Sequence, residues 1–129
     1  MRPNEVSYEV IGAAMKVHSA LGAGLLESAY EQALCHEFTR IGLPVCRQVR
    51  IPVDYHGVKL PNAFIADFIA ENCVIVEIKS LEKILPVHRA QLLSYLKLTG
   101  LPLGLLLNFK VPHLRDGICR LINAPEDQL

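Results

Sequence analysis

Apolar positions in this chain follow one rhythm at the N-terminus and another afterwards. In residues 4–21, "NEVSYEVIGAAMKVHSAL", Val6, Val10, Ile11, Ala14, Val17 and Leu21 recur at three- and four-residue spacing. That spacing predicts a helix with one apolar stripe, with Asn4 as its N-cap. "GAG" at 22–24 breaks the pattern. A second helix is expected over about Leu25–Ile41, with Leu26, Tyr30, Ala33, Leu34 and Phe38 on one stripe and Gly42 as the stop. The period then falls to two. Residues 45–55 and 58–70 read as strands around a His56-Gly57 turn, and 73–80 as a third strand after Glu71-Asn72. Pro86 opens a third helix over about 86–99, ended by Gly100. "LPLGLLLNF" (101–109) is too apolar for an edge and predicts an interior strand, and "GICRLI" (117–122) a last short one. The order is α-α-β-β-β-α-β, with a further β at the end. No linker or repeat interrupts residues 1–129, so one domain is expected.

Composition narrows the picture only slightly. Apolar residues make up 51% of the chain, which excludes disorder. Basic and acidic residues balance at 13 each, which argues against coating nucleic acid by bulk charge but allows a local basic groove. Cys35, Cys46, Cys73 and Cys119 show no CxxC spacing, and the N-terminus does not read as a signal peptide. Scattered reduced thiols, no zinc site and a cytoplasmic protein are expected. The apolar runs are too short to span a membrane.

The charges inside the third strand carry the chemistry. In "VIVEIKS" (74–80), alternation puts Ile75, Glu77 and Lys79 on one face and Val74, Val76, Ile78 and Ser80 on the other. Glu77 and Lys79 are then about 7 Å apart along the strand. The preceding strand has one central acid, Asp67. Asp67 lies across from Glu77 if the connecting turn takes three residues, Glu71–Cys73, with Asn72 left-handed; a slip of one residue would separate the acids onto opposite faces. Facing carboxylates repel, and a divalent cation removes that cost. Hard oxygen donors suit Mg²⁺, with Mn²⁺ able to stand in. A simple Glu77–Lys79 salt bridge on a solvated face is the competing reading.

Asp67, a hairpin, then Glu77-Ile78-Lys79 resembles the PD-(D/E)XK nuclease superfamily, although Ala66 stands where its name expects proline. "GLLESAY" (Gly24, Glu27, Tyr30) is similar to the motif that names the GxxExxY family, and Gln91 and Tyr95 resemble the QxxxY element of RecB-like nucleases. The resemblance runs over about residues 5–122. It implies a restriction-endonuclease-like αβββαβ core, a mixed central sheet flanked by helices, with an extra N-terminal helix. It also implies metal-dependent phosphodiester hydrolysis in DNA or RNA. Asp67, Glu77 and the Ile78 carbonyl would be metal ligands and Lys79 would orient the attacking water. Glu27 would reach the same site from its helix, and Gln91 and Tyr95 would border it. His88, one turn before Gln91, reads as a polar residue at a helix start. Arg47, Arg50, Lys83, Arg89 and Lys97 are candidates for a cationic groove. A homodimer would lengthen such a groove. The alternative is a non-catalytic module that keeps the fold and binds nucleic acid or protein.

Overall fold

A computed structural model describes residues 1–129. Helices α1 (Pro3–Leu21) and α2 (Glu27–Ile41) lead into strands β1 (Val45–Tyr55), β2 (Val58–Ala70) and β3 (Val74–Lys79). Helix α3 (Pro86–Thr99) connects β3 to β4 (Leu103–Asn108), and β5 (Ile118–Ile122) closes the sheet. The five strands lie in sequence order. β3 and β4 are parallel, as a helical crossover requires, and the other neighbours are antiparallel.

The sheet is covered on both faces. Val74, Val76 and Ile78 of β3 pack with Leu103, Leu105 and Leu107 of β4 against α1 and α2. Ile75 and Leu106 pack on the opposite face against Leu92 and Leu96 of α3. β4 is buried at every position, as its unbroken apolar run predicts. Gly104 lets α3 approach, because a Cβ there would lie 2.9 Å from Leu92.

Two helix starts differ from expectation. Arg2, not Asn4, is the N-cap of α1, since Pro3 fits the first helical position. Asn4 lies within the helix, where its side chain accepts from Arg120. α2 begins at Glu27 rather than Leu25. The cause is Tyr30, whose hydroxyl donates to the Gly22 carbonyl (2.6 Å) and accepts from the Leu25 N–H (3.1 Å). Its ring stacks on Phe109 at 4.3 Å. All four cysteines are free; Cys46 is exposed and the other three are half-buried.

Candidate active site at the parting of two strands

The β2–β3 hairpin adopts the register in which the acids meet. Ala70 pairs with Val74, Ile69 with Ile75 and Phe68 with Val76, so the next positions are Asp67 and Glu77. Glu71 and Asn72 both take left-handed conformations in the turn. The ladder stops at the Phe68–Val76 pair, where β2 leaves β3. Asp67 Oδ2 then accepts the Ile78 N–H at 2.8 Å, a donor that continued pairing would give to a β2 carbonyl. Asp67 is therefore not a simple cross-strand partner of Glu77; its carboxylate occupies the gap between the strands.

The same point marks a change of face. Phe68 and Ala70 pack on the α1/α2 side, whereas Ala66 packs on the α3 side and Phe64 stacks on Tyr95 at 3.7 Å. On β1, Val45 packs against the first core and Val49 against the second. Between them lies Gln48, flanked by the pairs Arg47–Phe68 and Val49–Ala66 and so opposite Asp67. Gln48 has φ 52°, left-handed for a residue that is not glycine, in the middle of a strand. Such a conformation costs about 1–2 kcal/mol. Its Nε2 donates to Asp67 Oδ1 (3.3 Å) and to Glu31 Oε1, and Arg47 holds Glu31 Oε2 at 2.8 Å.

Glu77 is 7% exposed, and its Oε1 is buried without a hydrogen-bond partner. Burial, then the Asp67 charge, pushes its carboxyl up to about 8, against a smaller opposing effect of Lys79. Lys79 has no carboxylate within 4.0 Å, so the salt bridge on a solvated face does not form. Glu77, Lys79, His88, Gln91 and Tyr95 line one narrow cleft between β3 and α3. Helical spacing thus brings Gln91 and Tyr95 to the strand that carries Glu77. Burial, then Glu77 and Asp67, raises the Tyr95 phenol, which stays a proton donor at neutral pH. His88 also serves its helix start, accepting the Leu85 N–H at Nδ1 (2.9 Å).

Glu27 approaches from the other side. Its Oε1 accepts the Ser80 N–H at 3.3 Å, just past Lys79, and Ser80 Oγ donates to the Leu25 carbonyl at 2.9 Å. Glu27 lines a separate concavity of about 460 Å³ with Gly24, Ser80 and Lys110. This concavity meets a second, of about 650 Å³, at Ala23; His18, His113 and Arg115 line the second. Ile78 buries its side chain in the α1/α2 core, which leaves only its backbone for the site.

The oxygen donors fit a hard divalent ion. Asp67 and Glu77 supply two carboxyl groups, and a cation bound beside them would displace the Glu77 proton and give the unpartnered Glu77 Oε1 a partner. No three His, Cys, Asp or Glu side chains gather as a complete ligand set, so backbone oxygen or water would finish the shell.

The profile of the PD-(D/E)XK nuclease superfamily matches residues 4–121. The chain belongs to the PD-(D/E)XK nuclease superfamily. Its α/β architecture, with a five-stranded mixed sheet and an added N-terminal helix, is that of a restriction-endonuclease-like PD-(D/E)XK fold. Nuclease chemistry in this superfamily generally uses divalent metal ions. No curated protein and no solved structure matches the chain. No helix of this PD-(D/E)XK chain is long and apolar enough to cross a membrane.

Sequence reasoning missed Glu31, Gln48, Lys110, His113 and Arg115. Glu31 carried a signal, since it follows Glu27 by four residues and shares its helix face. Gln48 carried none. Among the groove candidates, Arg47 is tied to Glu31 and Arg50 lies 3.4 Å from Asn62; none of Arg47, Arg50, Lys83, Arg89 or Lys97 lines the concavities beside Glu27 and Glu77.

Proposed function

We propose that this protein is a Mg²⁺-dependent nuclease of the GxxExxY type, hydrolysing phosphodiester bonds in DNA or RNA. The observation that carries the reading is the buried, unpartnered Glu77 Oε1 beside Asp67, with Lys79 free of any carboxylate in the same cleft. Asp67, Glu77 and the Ile78 carbonyl would hold the ion. Bound there, it would polarise the phosphate and lower the pKa of a water. Lys79 has its ammonium available to orient the attacking water and to meet the charge that develops on phosphate oxygens. Tyr95 keeps its proton and offers a hydroxyl donor at the cleft wall, next to the Gln91 amide. Glu27 fastens α2 to the backbone that follows Lys79, which ties the "GLLESAY" segment to the site. Manganese would substitute for magnesium on the same oxygens. Four free cysteines suit a reducing cytoplasm.

The test is cleavage of mixed single- and double-stranded DNA and RNA with Mg²⁺, Mn²⁺ or EDTA, comparing the unaltered protein with Lys79→Ala. Metal-dependent cleavage that Lys79→Ala abolishes is expected. Binding without cleavage would turn the reading toward a non-catalytic module.

A further inference from the structure

The geometry points to Gln48 as a positioning residue that fixes the Asp67 carboxylate for a cation, a role that rests on reading Asp67 as part of the hydrolytic site. Three observations converge on it. The register of β1 and β2 places Gln48 opposite Asp67, where both strands change faces. Its backbone is held at φ 52° within a strand rather than in a turn. Its side-chain nitrogen meets two carboxylates, Asp67 Oδ1 and Glu31 Oε1.

The chemistry singles out a primary amide of this length. A side-chain NH₂ has two hydrogens, one for each carboxylate, and brings no charge. Glutamate would set a third anion between two, and lysine would neutralise the acids it is meant to orient. The two Asp67 oxygens then each have a donor, Ile78 N–H on Oδ2 and the Gln48 amide on Oδ1, and each keeps a lone pair for a cation. Glu31 is in turn held by Arg47, so the orientation of Asp67 is referred to the rigid body of α2 rather than to the exposed hairpin. Outer partners of this kind typically change metal affinity or activity by about 10- to 100-fold. The left-handed backbone would suit glycine better, so side-chain chemistry and backbone comfort pull in opposite directions here.

That opposition supplies the test. Gln48→Gly removes the amide and relieves the backbone; Gln48→Met removes the donors at similar length and keeps the strain. Melting temperature is read in EDTA, Mn²⁺ affinity by calorimetry, and kcat and KM on an oligonucleotide across a range of Mg²⁺. Gln48→Gly is expected to melt at or above the unaltered protein, yet to bind Mn²⁺ about 10- to 100-fold more weakly. Its kcat at low Mg²⁺ should fall by a similar factor, recover at high Mg²⁺, and leave KM nearly unchanged. Gln48→Met should lose the same metal affinity without the gain in melting temperature. If both variants bind Mn²⁺ like the unaltered protein, or if Gln48→Gly loses melting temperature and affinity together, the positioning role is wrong and Gln48 is an ordinary strand residue. An unaltered protein that neither binds Mn²⁺ nor cleaves would fail the hydrolase reading and take this role with it. Cleavage unaffected by either substitution would retire Gln48 alone.

Discussion

Asp67 Oδ2 lies 2.8 Å from the backbone nitrogen of Ile78, so a side chain takes over the ladder where β2 leaves β3. This contact puts one acid in the gap between the strands and leaves the other, Glu77, buried behind it. The pair is costly to ionise without a cation, and that cost is measurable.

Metal-free stability should fall as pH rises. The folded protein holds the Glu77 proton up to about pH 8, whereas an ordinary glutamate releases it near 4.5. Between those values the folded state binds more protons than the unfolded one, so stability is fullest below the window and is lost through it, by roughly 1.4 kcal/mol per pH unit at most. Mg²⁺ should bind the ionised pair and stabilise the protein increasingly as pH rises. In Glu77→Gln the group no longer titrates; thermal melts in EDTA should lose this slope and melts in Mg²⁺ should show no shift. A slope that survives Glu77→Gln would assign the titration elsewhere.

Tyr95→Phe separates packing from chemistry. The ring would keep its stack on Phe64, so melting should move by less than about 0.5 kcal/mol. Loss of the hydroxyl should lower kcat by about tenfold or more. Full activity in Tyr95→Phe would reduce Tyr95 to a packing residue.

Much of this site was legible in the sequence because its elements obey local rules. The three-residue turn at Glu71–Cys73 fixed which acids could meet, and the i, i+4 spacing of Gln91 and Tyr95 brought them to one wall. What stayed hidden depends on non-local geometry. The register implied that Asp67 would face Glu77 across an intact ladder, but the divergence of β2 is a property of the whole sheet, with its left-handed residue at Gln48 on a third strand. The start of α2 shifted to Glu27 because Tyr30 restrains the loop, a contact that helical periodicity does not report. Lys110, which shares a concavity with Glu27, comes from the segment after β4, far away in the chain.

Gly104→Ala should act at a distance. A Cβ at position 104 would lie 2.9 Å from the Leu92 side chain of α3, which would have to give way, at a cost of about 1–3 kcal/mol. The same helix carries Gln91 and Tyr95, so kcat should fall further than the loss of folded protein explains. Comparing active-site titration with total protein after urea melts checks this; activity that tracks the folded fraction alone would count against it.

Arg115→Ala tests the concavity lined by His18, Ala23, His113 and Arg115, which shares Ala23 with the one that holds Glu27 and Ser80. On a Lys79→Ala background, binding of a single-stranded oligonucleotide should weaken. The slope of log affinity against log salt should become shallower by about 0.7, one phosphate contact. Anisotropy titrations at several salt concentrations measure it, and an unchanged slope would place the strand elsewhere.

The connection between α1 and α2 has no regular structure from which to draw its shape; one phenolic oxygen sets it, taking the Leu25 N–H and giving its proton to the Gly22 carbonyl. The length of that connection is therefore measured by a side chain that sits after it in the chain. Inserting or deleting a residue between Gly22 and Leu25 would leave the two helices free to form, yet Tyr30 could no longer hold both ends. The error would surface at Glu27, whose hold on the Ser80 N–H depends on where the helix begins. A spacer that looks neutral on the surface is in this way a ruler for the face that carries Glu27 and Ser80.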